Sequence, residues 1–436
     1  MAETPWVRTP GLTRRRPPSR DWRRWERGHP GSDDGADGFP FGLAGDGADA
    51  EQRAVKKGGT HMSYRFSLTS LGSFLAAAAL LTGCASGEMD FGGMDGVGMA
   101  FKAPAGAELM TDEVFPYYDI PNIPPSAEAY FAPDSYHLIA QTKDSNAAKS
   151  SMGTMGNLTY TYSIDGTDLR RANDKGMDAC SYFFPDQQRV VFTSTRDRMD
   201  LPPGNWSDQN EYPAGAELYI SDLDGNDRIR LTDNEYYEAE VSVSPNSEWV
   251  VFGRMVNGQM DLWRMRSDGS DEQQVSFTED WQEGAPFYLP DNETIMFRAW
   301  RRSEYGKASP TPMTVFTIKH DGSNWRRYTF DRGMNWAPYP APDGRHYTFV
   351  RIRPPNNWDV YIGDLAGGEP RRMTEYEGFD GLPSLSPDGT KLAWARSTQG
   401  FMRGMRTHIM DVSSLGIGPE NYLPLNPTWG EAMQND

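Results

Sequence analysis

The 436-residue chain is poor in the residues that build several common kinds of catalytic site. It contains two cysteines, Cys84 and Cys180, and six histidines. Two cysteines exclude a disulfide-stapled scaffold, and no histidines stand in the His-Glu-x-x-His spacing that binds zinc. A Gly-x-Ser-x-Gly elbow and a phosphate-binding loop before a helix are missing as well. We therefore expect no catalytic residues and a protein that is not an enzyme.

Positive charge is also scarce. The chain has 43 Lys and Arg against 61 Asp and Glu, a formal net charge of −18. Such a surface repels phosphate backbones and anionic lipid headgroups. The charge argues against nucleic acid as a partner and favours cations or basic protein surfaces.

Long apolar runs are missing, with one short exception near the N-terminus. Residues 66–81 are apolar, but this run is shorter than the roughly 20 residues of a membrane span. It follows Met62 and Arg65 and ends at Leu81-Thr82-Gly83-Cys84. A basic start, an apolar core and small residues before a cysteine are typical of a secretory signal peptide.

Leu81-Thr82-Gly83-Cys84 resembles a bacterial lipobox. The resemblance implies that Cys84 is lipidated and becomes the first residue of a membrane-anchored protein. Ala85 follows, where an aspartate would imply retention in the inner membrane of Gram-negative bacteria. The expected location is the outer membrane, with the protein facing the periplasm or the cell surface.

The remaining composition divides the chain into segments. Residues 1–61 lack apolar periodicity, and we interpret them as disordered or as an extension that is not part of the natural protein. Residues 62–83 form the signal peptide, and the glycine-rich residues 84–106 form a flexible tether. The folded domain is expected at 107–424, followed by a tail at 425–436.

Six short repeats organise the folded domain. Each contains a proline followed by Asp or Asn in a turn, at intervals of 45 to 60 residues: Pro133, Pro185, Pro245, Pro290, Pro342 and Pro387. Seven residues after the last five prolines stand Phe192, Phe252, Phe297, Phe349 and Trp394, with Ala140 after the first. Repeats of this period built from short strands predict propeller blades, and the recurring aromatics predict core.

Asp-Gly pairs between short β-runs predict a hairpin at the end of most repeats, as at Asp224-Gly225 and Asp268-Gly269. Four strands fit into each repeat, but the sixth lacks a final strand. Residues 108–112 match the last strands of other repeats and are predicted to complete it. The fold class is all-β: a monomeric six-bladed β-propeller of four-stranded blades, closed by an N-terminal strand.

Two motifs carry a family resemblance. Ser386-Pro387-Asp388-Gly389 with Lys391-Leu392-Ala393-Trp394, and Asp222-Leu223-Asp224-Gly225 with Arg230-Leu231-Thr232-Asp233, resemble the repeats of TolB-type propellers. The resemblance covers roughly 107–424 and is specific for the fold. TolB has an α/β domain before its propeller, whereas here only about 40 residues separate the predicted lipidation site Cys84 from the first blade. The resemblance therefore implies a TolB-like lipoprotein and not TolB.

The first strand of each blade is expected to begin at the mouth of the central channel. The position seven residues before each repeat proline is polar: Ser126, Asp178, Glu238, Glu283, Asn335 and Asp380. If these side chains converge, they form a ring of oxygen ligands. Hard cations such as Ca²⁺ take six to eight oxygens, so Asp178, Glu238, Glu283 and Asp380 are the candidate metal ligands. A hydrated polar rim is the alternative interpretation.

Long insertions lie at the same end of the blades, at 143–157, 196–216, 301–312 and 353–358. Loops of this length are commonly functional. Their candidate binding residues are Trp206, Tyr212, Arg301, Arg302 and Trp358, since Trp, Tyr and Arg dominate recognition surfaces.

These features favour a non-enzymatic scaffold, anchored in the outer membrane, that binds envelope proteins through the channel mouth and the long loops. Two alternatives stay open. Some related propellers are lyases that act on uronic-acid oligosaccharides through a histidine-bound metal, and the chain has His137, His320, His346 and His408 for comparison. The other alternative is a propeller that binds an ion or a small ligand.

Overall fold

The computed structural model describes residues 101–433, except 152, 154, 155, 354–356, 401 and 402. The predicted signal peptide, the predicted lipidation site Cys84 and residues 1–61 lie outside the described residues. Three short 3₁₀ helices accompany the strands: Arg302–Glu304, Ser413–Leu415 and Pro419–Asn421. None of the helices in the described part of the chain has the length and apolar character that a membrane span needs.

The strands form six antiparallel sheets. The first sheet contains β2 (Ser126–Phe131), β3 (His137–Lys143), β4 (Asn157–Ser163) and β5 (Arg170–Arg171). The second sheet contains β6 (Asp178–Phe183), β7 (Arg189–Ser194), β8 (Glu217–Asp222) and β9 (Ile229–Arg230). The third sheet contains β10 (Tyr237–Val243), β11 (Trp249–Val256), β12 (Gln259–Arg266) and β13 (Gln273–Gln274). The fourth contains β14 (Trp281–Tyr288), β15 (Thr294–Arg301), β16 (Thr314–Lys319) and β17 (Arg326–Arg327), extended by β25 (Glu431–Ala432) from the predicted tail. The fifth contains β18 (Asn335–Pro340), β19 (His346–Arg353), β20 (Asn357–Asp364) and β21 (Arg371–Arg372); the sixth β22 (Asp380–Leu385), β23 (Lys391–Ser397), β24 (Met405–Asp411) and, from the N-terminal side, β1 (Tyr117–Asp119).

The innermost strands of the six sheets surround one axis. Each innermost strand contacts the next in chain order, and β22 of the sixth sheet returns to contact β2 of the first. The predicted all-β, six-bladed propeller of four-stranded blades is therefore confirmed.

Local turn chemistry explains why each repeat begins as a hairpin. In the sixth repeat, Asp388 Oδ1 accepts a hydrogen bond of 2.9 Å from the Thr390 amide, and Gly389 has φ +69°. Aspartate and glycine suit these positions because aspartate bonds back to the backbone and glycine adopts positive φ without strain. The recurring aromatics, Phe192 to Trp394, are fully buried in the sheets as predicted.

The outer edge of the sixth sheet differs from the prediction. The strand that pairs with β24 is Tyr117–Asp119 and not residues 108–112, which make a single bridge between Met110 and Tyr117. Side-chain packing explains the choice, because the Tyr117 ring lies 5.4 Å from the Trp394 ring and Tyr117 Oη bonds to Arg396 at 2.9 Å. Leu109, in contrast, is exposed.

Candidate functional site

A β-bulge interrupts the innermost strand of every blade. At each bulge the pairing register shifts, as between Ala127 and Tyr130 in β2. One residue of each bulge has φ between +44° and +57°: Glu128, Cys180, Glu240, Ala285, Ala337 and Leu382. Positive φ is uncommon for residues other than glycine, and a bulge redirects the side chain next to it. We call these six residues the bulge ring.

The bulge ring lines a central cavity of about 1010 Å³, counting the space at its open mouth. Its members stand five residues before each repeat proline, two residues beyond the positions selected from the sequence.

Aromatic side chains close one end of the cavity. Tyr130, Tyr182, Phe287 and Tyr339 extend from four different blades. The ring centroids of Tyr130 and Phe287 are 5.3 Å apart, those of Phe287 and Tyr339 are 4.9 Å apart, and the hydroxyls of Tyr182 and Tyr339 are 3.0 Å apart. These contacts cross the axis, so the channel ends in a floor and is not open from end to end.

The charged groups of the cavity lie on neighbouring blades. Arg298 Nη2 donates to Glu240 Oε1, and the Ala285 amide donates to Glu240 Oε2 at 2.8 Å. Gly284 leaves room for this ion pair, since a Cβ there would overlap both Glu240 Oε2 and Arg298 Nη1. Arg298 Nε and Nη1 have no hydrogen-bond partner among the described residues.

Glu128 and Cys180 complete the polar part of the cavity. Glu128 accepts hydrogen bonds of 3.3 Å from the Tyr130 hydroxyl and from the Cys180 amide. Burial, with a smaller contribution from the nearby Glu240 carboxylate, raises the pKa of Glu128 to about 7. Burial also raises the pKa of the Cys180 thiol, followed by the charges of Glu128 and Glu240. The thiol is therefore neutral at physiological pH.

The wall and the cover of the cavity are mostly aromatic and apolar. Trp300, Met313, Met334, Trp336 and Trp358 line the wall on the fourth and fifth blades. The loop between β7 and β8, which we call the cap (residues 195–216), covers the mouth with Trp206, Ser207, Gln209 and Tyr212.

Contacts with three other blades hold the cap in place. The Tyr212 ring stacks on Tyr237 of the third blade with 4.1 Å between centroids. The Tyr305 hydroxyl of the fourth blade donates to Asp208 Oδ1 at 3.2 Å. On the first blade, the Ser151 amide donates to the Gly204 carbonyl at 2.8 Å. The cavity is therefore roofed by a loop of the second blade that contacts the first, third and fourth blades.

The six residues selected from the sequence do not converge on the axis. Each is almost completely buried at the start of its innermost strand and bonds within its own blade or to the adjacent one. Asp178 accepts hydrogen bonds of 2.8 Å from the amide and hydroxyl of Thr159 on the preceding blade. Ser126 lies 2.9 Å from the Thr407 hydroxyl of the sixth blade.

The other four selected residues follow the same rule. Glu238 accepts a bond of 2.6 Å from Arg254 Nε, and Asp380 pairs with Arg396 through two bonds of 2.7 Å. Asn335 accepts a bond of 3.2 Å from Arg351, and Glu283 accepts a bond from Thr278. These side chains join blades and cap strands, so the expected common set of oxygen ligands does not form. A binding role for them stays a prediction.

Burial, and not mutual repulsion, is the main cause of their pKa shifts. It raises the pKa of Asp178 to about 6 and that of Glu238 to about 7. It also raises the pKa values of Glu283 and Asp380. Among the described residues, no group of three or more His, Cys, Asp or Glu side chains is arranged to hold a metal ion. The Ca²⁺ site stays a prediction without a geometric counterpart.

The five loop residues selected from the sequence divide into two groups. Trp206, Tyr212 and Trp358 line the cavity. Arg301 lies outside it, with its guanidinium 4.6 Å from the Trp281 ring, and Arg302 begins a 3₁₀ helix beside it. Sequence reasoning missed Glu128, Glu240, Cys180 and Arg298; the signal available for the first three was the position five residues before each proline.

The four histidines considered for a lyase-like site lie apart. His137 and His346 each bond to an aspartate of the turn before them, at 2.6 and 2.5 Å. The His320 ring lies beside Trp249, at 5.9 Å. His408 is packed between Tyr117 and Trp394, and burial lowers its pKa to about 3. No two of them share a partner in the described structure.

The fold and the site define a six-bladed β-propeller with a floored, capped and largely aromatic central cavity. No protein-family model matches the chain. Among curated proteins, an uncharacterized protein of Agrobacterium fabrum is 27% identical over 144 residues, covering 32% of this chain and 48% of that protein. Dipeptidyl-peptidase 5 of Porphyromonas gingivalis is 24% identical over 268 residues, covering 50% of this chain and 38% of that protein.

The Tol-Pal system protein TolB of Alcanivorax borkumensis is 34% identical over 64 residues, 15% of each chain. The chain spans less than half the length of each of these curated relatives. Among solved structures, a putative TolB of Agrobacterium tumefaciens has a TM-score of 0.45 at 17% identity, covering 66% of this chain and 90% of that one. An oligogalacturonate lyase of Vibrio parahaemolyticus has a TM-score of 0.46 at 10% identity, covering 70% and 96%. The chain is thus similar to TolB over a short stretch of its repeats, and its own sheet topology shows the six-bladed propeller.

Proposed function

We propose that this protein is a cell-envelope scaffold that binds other envelope proteins through the face formed by the cap. The observation that carries the proposal is the cap itself, because loops of three blades support one continuous surface over the channel. Loops placed on a rigid scaffold are the usual site of recognition. The similarity of the repeats to TolB supports the envelope as the setting.

A lipid anchor at Cys84 belongs to the same proposal. It would hold the propeller at the outer membrane and leave the cap free to meet partners. Mass spectrometry of the native N-terminal peptide tests this part, with Cys84→Ser as the control. A peptide that begins upstream of Cys84, or an unmodified Cys84, would contradict the anchor.

Charge reversal on the cap tests the scaffold. Asn210 and Glu211 are exposed at the cap, and Gln188 and Glu248 are exposed on turns at the opposite ends of the strands. Changing either pair to lysine alters the net charge equally. We expect Asn210→Lys with Glu211→Lys to abolish capture of envelope proteins by the tagged full-length chain, and Gln188→Lys with Glu248→Lys to preserve it. Equal capture by both variants would count against the proposal.

No cluster of histidines among the described residues supports the lyase alternative. A binding function for a small ligand has a specific observation in its favour, which is the cavity below the cap.

A further inference from the structure

The charged, hydrogen-bonding and aromatic groups that line the cavity lie in different parts of it, and this arrangement points to one class of ligand. The carboxylate acceptor of Glu128 lies on the first blade, whereas the donors of Arg298 and the aromatic surface lie on the fourth and fifth blades. Glu128 supplies a buried carboxylate, Arg298 supplies donors, and Trp300, Trp336 and Trp358 supply apolar walls. A ligand that fits must offer a cation, an oxygen acceptor and an apolar group to these three parts.

The carboxylates give the cation site. Glu128 and Glu240 are close enough for each charge to affect the Cys180 thiol between them. The Glu240 carboxylate is already paired with Arg298. Among the described residues Glu128 has no basic partner, and the groups that bond to it, the Tyr130 hydroxyl and the amide and thiol of Cys180, are all neutral. A buried carboxylate without a counter-ion is costly, and a protonated amine would satisfy it.

Arg298 gives the oxygen site. Its side chain is only 7% exposed, and one of its three nitrogens pairs with Glu240. Nε and Nη1 have no hydrogen-bond partner among the described residues. A buried guanidinium group with two unpaired donors calls for a carbonyl or carboxylate oxygen. The nearby indole nitrogens of Trp206 and Trp300 are also unpaired donors.

The aromatic walls give the apolar site and also suit the cation, since ammonium groups bind to the faces of tryptophan rings. The floor formed by Tyr130 and Phe287 prevents a chain from threading through the channel. The ligand must therefore enter by one end, from the side of the cap.

We propose that the cavity binds an α-amino end group with a large apolar side chain: the ammonium at Glu128, the adjacent carbonyl or carboxylate oxygen at Arg298, and the side chain among the tryptophans. The end group is that of a free amino acid or of the N-terminus of a peptide. This inference rests on the proposed binding role of the capped face and names the chemistry that the face recognises.

Tryptophan fluorescence and calorimetry on the full chain test the inference with four probes: phenylalanine, the tripeptide Phe-Ala-Ala, its N-acetylated form and phenethylamine. We expect phenylalanine or the tripeptide to bind and the acetylated tripeptide to lose at least about tenfold in affinity. Binding of phenylalanine alone identifies a free amino acid, and binding of the tripeptide identifies a chain end. Equal binding of the acetylated form would overturn the proposal, and so would binding of none of the probes.

Two variants assign the contacts. Glu128→Gln keeps the size of the side chain and should weaken every amine probe by about tenfold or more, whereas Glu248→Gln on the opposite face should change none. Arg298→Lys should weaken the tripeptide or phenylalanine and leave phenethylamine, which has no carbonyl, unchanged. Circular dichroism and thermal unfolding of each variant establish that it is folded.

An oligosaccharide is the competing class of ligand, because sugars also stack on tryptophans. Binding of an oligogalacturonate in place of the amine probes would contradict the inference. The capture experiment separates the two proposals. If the Glu128→Gln variant binds no amine probe but still captures envelope proteins, the scaffold function stands and does not depend on ligand binding in the cavity.

Discussion

Glu128 combines a backbone conformation with positive φ and a carboxyl group that is buried beside the Glu240 carboxylate. Three hydrogen bonds partly offset this cost, since the thiol and the amide of Cys180 and the hydroxyl of Tyr130 all donate to the carboxyl group. The effect of burial exceeds that of these hydrogen bonds, so the neutral acid is favoured and the pKa is raised to about 7. The group therefore changes charge close to physiological pH.

The stability of the protein should depend on this titration. A carboxyl whose pKa is raised on folding contributes stability that is fully present below its unfolded pKa, near 4.5, and is lost as pH rises through about 7. Glutamine does not titrate. The natural protein should therefore lose on the order of 3 kcal/mol relative to Glu128→Gln between pH 4.5 and 8.

Urea unfolding of both proteins across this pH range measures the difference. Glu248→Gln, at an exposed site on the opposite face, is the control. A difference between the natural protein and Glu128→Gln that does not change with pH would contradict the prediction.

Cys180 gives a second prediction at the residue scale. Burial and two neighbouring carboxylates raise its pKa, and the thiolate is the form that reacts with alkylating agents. In a Cys84→Ser background, where Cys180 is the only thiol, iodoacetamide should react at least ~100-fold more slowly with the folded chain than with the chain in urea. Mass spectrometry over time measures both rates; comparable rates would show that the thiol is ionised or accessible.

Among the structural elements, the cap shows how a loop becomes a defined surface. Its buried side chains, Trp206 and Tyr212, pack on Tyr237, and its polar end reaches the fourth blade through Asp208 and Tyr305. The contact with Tyr305 spans the mouth of the cavity, so it determines how firmly the far end of the cap is held.

Removing one hydroxyl tests this contact. Tyr305→Phe deletes the hydrogen bond to Asp208 and should raise the hydrogen exchange of residues 203–212 by about a factor of five, which corresponds to a net bond of ~1 kcal/mol. Tyr136→Phe is a matched control, since it removes a 2.7 Å bond to Asp165 on the opposite face. If both variants leave exchange of the cap unchanged, Tyr305 does not hold it.

At the scale of the whole molecule, the ring is completed by chain segments that are far apart in sequence. β1 supplies the outer strand of the sixth sheet, and Glu113 binds Arg396 Nη2 at 2.5 Å beside Asp380. Without β1, β24 would be an open edge, and open edges promote association between chains.

Truncation measures the contribution of this closure. A chain that starts at residue 120 lacks β1 and Glu113, and it should unfold at a temperature several degrees lower and scatter more light on heating. A chain that starts at residue 107 keeps β1 and is the control. Identical melting and scattering for the two truncated chains would show that closure by β1 is dispensable.

The sequence by itself determined the number of blades, their boundaries and their core. These properties depend on local chemistry: Pro-Asp turns, Asp-Gly hairpins and an aromatic at a constant distance, each of which acts within a few residues. It also identified three cavity residues, Trp206, Tyr212 and Trp358, because long loops rich in tryptophan and tyrosine are typical of binding surfaces. The closing strand was predicted several residues too early, at 108–112 instead of Tyr117–Asp119, because a single short strand carries little local signal.

Only the tertiary structure decided which side chains face the axis. The position seven residues before each repeat proline predicted Asp178 and Glu238 at the channel mouth, but the bulge in each innermost strand turns Cys180 and Glu240 toward the cavity instead. The bulge ring has no common residue type, so its positive φ values leave no signature in the sequence. The sequence gives no signal for Arg298 either. Its role depends on Glu240 and Gly284, which lie on strands that pair or pack with its own strand only in the folded ring.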